Sequence, residues 1–211
     1  MRLNTQSLGF EVRRWRRASG LGLMAFIGAL VLIGGRCQEK LPERQWERGD
    51  FHPIGGKPYR LPSGLEVQSI VGADSEITTS LLPLVWTVRN ITDKRISGQM
   101  PAGLCFDPSD HEYQYMMLLQ EFGFTVPASG ETAIFLPTYC CNEALDEPDE
   151  EASYSLSIQV WERELNELFD LVRGKRLDNL AAVDLAQEAL FEITDGEGLT
   201  DTMRLRLQNL P

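Results

Sequence analysis

Residues 122–141, FGFTVPASGETAIFLPTYCC, contain the pattern that decides the predicted fold. Apolar residues alternate with others before and after a Pro-Ala-Ser-Gly turn, and this period of two is typical of strands with one buried face. We therefore predict a β-hairpin over residues 122–136. The second strand runs towards Cys140 and Cys141, whose side chains would point to opposite faces of a continuing strand. At most one of these sulfurs is then expected in the core.

Other short strands are predicted before this hairpin. They share β-branched, aromatic or other apolar residues between Pro, Gly and polar turns, and they cover residues 65–71, 84–88, 96–100, 104–106 and 115–119. Short strands at such close spacing favour an antiparallel β-sandwich over a parallel sheet with crossover helices. The predicted sandwich domain spans residues 63–141.

After residue 141 the pattern changes from strands to helices. Residues 142–152 are strongly acidic and are interpreted as a solvated linker, because a Ca²⁺ loop would need a Gly at its turn. Residues 153–211 are expected to form a helical annex of two to three helices, packed on the sandwich. The apolar stripe of its first helix is Trp161, Leu165, Leu168, Phe169 and Val172. The predicted fold class is therefore α+β.

The N-terminal segment, residues 1–36, has the layout of a secretory signal or a membrane anchor. Arginines at 13, 14, 16 and 17 precede an apolar run, residues 18–35, that is free of charge. As a helix this run would reach roughly 27 Å, close to the thickness of a hydrocarbon core. The basic flank should stay in the cytoplasm. The folded part is then expected on the outer side of the inner membrane, facing the periplasm or cell exterior, or secreted after cleavage.

Cys37 follows this run and suggests a lipid-modified cysteine of a bacterial lipoprotein, although Arg36 stands where such proteins have a small residue. Residues 37–62 are rich in Pro, Gly and charge and are predicted to be a linker. His52 lies in this linker, far in sequence from the other histidine, His111, so a histidine-based metal site is not expected.

The charge of the chain is unevenly distributed. The formal net charge is −11, and residues 1–17 carry five Arg against one Glu, which leaves −15 for the remainder. An excess of this size repels nucleic acid. We therefore expect no nucleic-acid partner, and nothing in the sequence indicates a cofactor.

The order WTVRNITDKRISGQMPAGLCF followed by FTVPASGETAIFLP, within residues 84–137, resembles the immunoglobulin-like modules of bacterial envelope proteins. In those modules a strand ending in Asn-x-Thr precedes a Pro-Ala-Gly edge and a V-P-A-G hairpin. The resemblance implies a binding or scaffolding module, with an envelope protein as a possible partner, and no catalysis. The sequence also lacks G-x-S-x-G, a Gly-rich phosphate loop and a histidine placed for a triad.

Three cysteines beyond the N-terminal region carry the remaining chemistry. In an oxidising compartment Cys105 would pair with Cys140 or Cys141, and free buried thiols are the alternative. A metal site is not expected, because adjacent cysteines form a poor tetrahedral clamp.

Gln187 lies at the edge of the apolar stripe of the second predicted helix. The surrounding AQEALFEITDG resembles the Gln-containing helix of thioester domains in bacterial surface adhesins, where a cysteine after an aromatic residue bonds to this Gln. The resemblance implies a covalent adhesin with Cys140 as nucleophile and Gln187 as acyl donor. Ala186 departs from that family, which has Thr there. In the alternative interpretation, Gln187 bonds a backbone group between sheet and annex.

Overall fold

A computed structural model describes residues 41–73 and 84–211. They form a mixed α+β fold in which every ladder between paired strands is antiparallel. The strands are β1 Lys57–Pro58, β2 Leu65–Gly72, β3 Leu84–Asn90, β4 Ile96–Met100, β5 Leu104–Pro108, β6 Met116–Leu118, β7 Phe122–Val126, β8 Glu131–Leu136, β9 Thr138–Cys140 and β10 Tyr154–Gln159. The helices are α1 Arg163–Val172, α2 Leu180–Thr194 and α3 Asp201–Gln208.

The predicted N-terminal signal or anchor lies outside the described residues. The same is true of its membrane contact at 18–35 and of Cys37. Within residues 41–73 and 84–211, no helix has the length and apolar character needed to cross a membrane.

The strands form three sheets, and the largest lies at the centre of the fold. Its order is β1-β10-β5-β6-β9, beside a three-stranded sheet, β2-β3-β8, and a two-stranded sheet, β4-β7. Met117 and Tyr139 face a core shared with the helices, whereas Met116 and Cys140 face a core shared with the smaller sheets. The central sheet is thus covered on both faces, an arrangement compatible with the predicted β-sandwich.

This double coverage explains the surroundings of the cysteine pair. Cys140 belongs to the core beneath the smaller sheets, and Cys141 belongs to the core beneath the helices. The prediction of opposite faces is confirmed. The expectation that at most one sulfur would be buried is wrong, because both faces of this sheet pack against other layers.

The predicted hairpin is wrong in its pairing, although both of its strands form. β7 pairs with β4 and β8 pairs with β3, so the two strands belong to different sheets. The two pairings nevertheless continue each other along the chain, since residues 84–89 oppose 131–136 and residues 96–100 oppose 122–126. One long antiparallel pair of segments is therefore interrupted in the middle, and each half belongs to its own sheet.

Asn90 holds this interruption together. Its buried Nδ2 donates to Lys94 O at 2.7 Å and to Pro127 O at 2.9 Å, and its Oδ1 accepts from Thr92 N at 2.9 Å. The Asn90 backbone N–H also donates to Gly130 O at 2.8 Å. One amide side chain thus replaces the ladder hydrogen bonds that both strands lose at the break.

The predicted boundaries of linker and annex differ from the structure. Trp46 and Phe51 are buried in the helix-side core, with their rings 4.8 Å apart, and β1 joins the central sheet. At the other end, residues 154–159 form β10, which pairs with β5. The central sheet therefore recruits chain from both sides of the predicted sandwich.

The acidic segment, residues 142–152, exposes most of its carboxylates, but its backbone is docked. Gln114 N donates to Asp146 O at 3.0 Å, and Gly72 N donates to Ala152 O at 3.1 Å. A Cβ at Gly72 would lie 2.2 Å from Asp149 O, so the approach of β2 to this segment requires glycine. The segment is a fixed connection and differs in this respect from a solvated linker.

Removing the Asn90 side chain should destabilise the fold strongly. In Asn90→Ala the Pro127 carbonyl and the Thr92 N–H lose their side-chain partner, whereas Lys94 O keeps the Thr92 hydroxyl at 3.0 Å. Both groups that lose the partner are part-buried, and a buried polar group left unsatisfied costs about 1–3 kcal/mol. We expect the free energy of unfolding to fall by at least about 2 kcal/mol in chemical denaturation. Asn209→Ala is the control, because exposed Asn209 bonds only within its own helix end, to Leu205 O. Equal losses in the two variants would contradict the role given to Asn90.

Candidate functional site

Helix α1 begins directly after the central sheet. Glu162 is its N-cap, and the buried carboxylate accepts from Glu164 N at 3.0 Å and Leu165 N at 2.6 Å. Burial raises the pKa of Glu162, while these backbone N–H groups oppose the shift. Four members of the predicted stripe are buried, namely Leu165, Leu168, Phe169 and Val172. Trp161 is not among them: it precedes the helix and remains half-exposed.

A cavity of about 590 Å³ lies between α1 and the ends of β6 and β10. Its walls also include Pro101 and Ala102 from the turn before β5. We call it the α1 cleft and define it by six residues: Gln120, Gln159, Trp161, Asn166, Phe169 and Lys175. Its volume falls within the range of about 300–1,000 Å³ typical of small-molecule sites.

Gly103 allows the turn before β5 to approach α1. Its φ is 79°, and a Cβ there would lie 2.8 Å from the Phe169 ring and 2.9 Å from Val160 O. The Gly103 N–H donates to Leu118 O at 2.7 Å, and its carbonyl accepts from Val160 N at 2.8 Å. A residue without a side chain therefore fixes one wall of the cleft.

Three side-chain amides line the α1 cleft, and each nitrogen is held by a backbone carbonyl. Gln120 Nε2 donates to the carbonyls of Val172 and Lys175, at the end of α1. Gln159 Nε2 donates to Ala102 O at 3.0 Å, and Asn166 Nδ2 donates to Glu162 O. None of the three amide oxygens accepts a hydrogen bond from the described residues. Three side chains that line the cleft therefore have amide oxygens available as acceptors.

The cations around the cleft are engaged by the protein itself. Lys57 Nζ lies 4.6 Å from the centroid of the Trp161 ring, and Lys175 Nζ donates to Gln208 O at 2.8 Å and to Leu210 O at 2.7 Å. Arg173 pairs with Asp170 at 2.7 Å on an exposed helix face, where such pairs contribute little stability. Of the described residues that line the cleft, Lys175 and Arg173 are the cations, and each would give up a contact to neutralise an anionic ligand.

A second hollow, of about 280 Å³, shares Gln120 and Glu121 with the cleft. It is more apolar, and we call it the Phe135 groove after its most exposed aromatic residue, whose side chain is 42% exposed. The residues that define it are Phe122, Phe135, Pro137, Tyr139 and Leu177. Cleft and groove therefore adjoin each other at Gln120 and Glu121.

The structure brings Cys140 and Gln187 together, through the backbone of the cysteine. Gln187 Nε2 donates to Cys140 O at 2.8 Å, and its Oε1 accepts from Cys140 N at 2.9 Å. β9 is an edge strand, so this amide takes the place of a neighbouring strand. Burial raises the pKa of Cys140 to about 12, whereas a nucleophilic cysteine needs a lowered pKa. This geometry matches the backbone-bonding alternative for Gln187.

Cys105, Cys140 and Cys141 are free thiols, so the predicted disulfide is absent. Strand β6 lies between β5 and β9, which places Cys105 two strands away from the cysteine pair. Two strand spacings are roughly 9.5 Å, beyond the reach of a disulfide. Burial is also the main reason that the pKa values of Cys105 and Cys141 are raised.

The two histidines, distant in sequence, meet in another hollow of about 360 Å³. His52 and His111 line it with Asp50 and Tyr115. Nearby Asp107 has a buried Oδ1 without a protein hydrogen-bond partner, and burial raises the pKa of this carboxyl. The spacing of the histidines did not indicate this meeting. Across 41–73 and 84–211, no group of three or more His, Cys, Asp or Glu side chains is arranged to hold a metal ion.

Comparison of the chain with protein-family models, curated proteins and solved structures found no match.

Loss of the Gln187 amide should weaken the attachment of α2 to the sheet. In Gln187→Ala the Cys140 N–H and carbonyl lose their partners at the edge of β9, and we expect a loss of about 1–3 kcal/mol in the free energy of unfolding. Gln208→Ala, at an exposed position of α3, should change it by less than about 0.5 kcal/mol. Denaturation of both variants measures the difference, and a Gln187→Ala effect no larger than the control would contradict this role.

Proposed function

We propose that this protein is a non-catalytic binding or scaffold module of the bacterial envelope, and that it binds its partner at the α1 cleft and the adjoining Phe135 groove. It is tethered to the membrane by residues 18–35, or released when residues 1–36 are cleaved. The domain lies on the outer side of the inner membrane. The observation that carries the proposal is a pair of adjoining hollows lined by Trp161 and Phe135, two aromatic side chains that belong to neither core.

The uncovered aromatic residues support this proposal on energetic grounds. Trp161 and Phe122 are half-buried and Phe135 is more exposed, although the fold offers a core on either side of its central sheet. Large apolar side chains that cluster at the surface are typical of interaction sites, and binding sites combine such residues with a few placed polar groups. The three amides of the cleft are polar groups of this kind.

The proposed compartment rests on the sequence of the N-terminal region. The arginines before residues 18–35 favour retention of that flank in the cytoplasm, with the following domain outside. The immunoglobulin-like character belongs to the same proposal, and the packing of small sheets on a central sheet supports it. Residues 41–211 carry 13 Lys and Arg against 29 Asp and Glu, which disfavours nucleic acid as the partner.

A covalent adhesin is the second candidate, and one observation favours it: the Gln187 amide lies beside Cys140. A thioester would form by attack of the Cys140 sulfur on the amide carbon, with release of ammonia. The raised pKa of the thiol and the two hydrogen bonds that hold the amide support the non-covalent module instead.

Photo-cross-linking in the full chain tests the binding surface. A photoreactive phenylalanine analogue is placed at Phe135 or at Glu121, which borders both hollows, and in the control at Leu205, an exposed residue of α3. In cells of the source organism we expect discrete adducts from Phe135 and Glu121 that Leu205 does not give. Adducts of the same pattern and yield at all three positions would contradict the assignment of the site.

A further inference from the structure

We infer that the α1 cleft binds a neutral saccharide, an inference that depends on the proposed binding function and names its ligand class. The feature that requires explanation is the set of unused acceptors. A polar pocket whose oxygens have no protein partner is complementary to a ligand that brings hydrogen-bond donors.

The three amides are restrained before any ligand arrives. A primary amide is planar, so a hydrogen bond from its nitrogen to a backbone carbonyl narrows the directions in which its oxygen can point. The nitrogens of Gln120, Gln159 and Asn166 are all held in this way. The assignment of oxygen and nitrogen is unambiguous, because only the nitrogen can donate to a carbonyl. Preorganised acceptors bind donors without an entropy cost for ordering side chains.

The charges around the cleft favour a neutral ligand. A carboxylate or phosphate would face three acceptor oxygens and the exposed carboxylate of Glu121. A cationic ligand would meet Lys175 and Arg173, and Lys57 already lies over the Trp161 ring where such a ligand would bind. Both signs of charge are therefore disfavoured, and neutral hydroxyl groups remain as the donors.

The aromatic wall narrows the ligand class further. Trp161 is partly exposed and lines the cleft beside the amides, with Lys57 over one face of its ring, whereas Phe169 is only 5% exposed. A sugar ring has apolar C–H faces and a rim of hydroxyl donors, so it matches both features at once. A peptide matches less well, because its own carbonyls need donors, and only Gln159 and Asn166 keep a second N–H that no backbone carbonyl uses.

The test uses the full chain, solubilised in a polyoxyethylene detergent that carries no sugar, on an array of neutral and acidic oligosaccharides that also carries capped glycine peptides. We expect binding to neutral oligosaccharides, with a dissociation constant at or below about 1 mM by calorimetry. Gln159→Met and Asn166→Leu each remove one acceptor and should weaken binding by about tenfold. Gln68→Met, at an exposed position of β2, is the matched control and should leave it unchanged. Thermal unfolding identifies the variants that retain the fold.

The outcomes separate this inference from the proposed function. Binding only to acidic oligosaccharides or to capped peptides, or no binding to the array, would overturn the saccharide assignment. Equal weakening by Gln159→Met and Gln68→Met would overturn the role of the cleft. Specific cross-links from Phe135 and Glu121 without saccharide binding would leave the binding module in place, whereas loss of both results would remove both proposals.

Discussion

The central five-stranded sheet is covered on both faces, and the remaining structure follows from that constraint. Three of its strands carry buried residues at successive positions, as in LCF of β5, MML of β6 and TYC of β9. A sheet of this kind needs two covering layers, since neither face can meet water. The helices, with Trp46 and Phe51, supply one layer, and the two smaller sheets supply the other. Gln187 closes the β9 edge with two hydrogen bonds.

The candidate site lies where this coverage ends. The chain leaves β10 at Gln159 and enters α1 at Arg163, so the helix starts at the edge of the sheet that it covers. Trp161 falls in this short connection and cannot reach the core that Leu165 and Phe169 enter. Backbone carbonyls at the two ends of α1 and in the turn before β5 accept hydrogen bonds from the amide nitrogens. The uncovered aromatic surface and the unpaired amide oxygens therefore both result from the way β10 connects to α1.

Local patterns predicted the elements better than their partners. The strands at residues 96–100 and 122–126 and the helix stripe at Leu165, Leu168, Phe169 and Val172 follow from periodicity alone. The hairpin did not form, because a period of two predicts which face of a strand is buried but not which strand it pairs with. Asn90 also interrupts the ladder. β10 was missed because it lies between an acidic run and a helix. The resemblance that joined Cys140 to Gln187 identified a real contact. The hydrogen bonds of the three amides in the cleft depend on tertiary structure, and no sequence pattern predicts them.

Thiol alkylation tests the doubly covered sheet most directly. If both faces are buried, Cys105, Cys140 and Cys141 should resist a small alkylating reagent in the native protein, because each lies in one of the two cores and is at most 3% exposed. All three should react in denaturant without reductant, as free thiols. Rapid modification in the native state would contradict the coverage. Reaction only after reduction would restore the disulfide, and a Cys140 that stays unmodified in a protein lighter by one ammonia would establish the thioester.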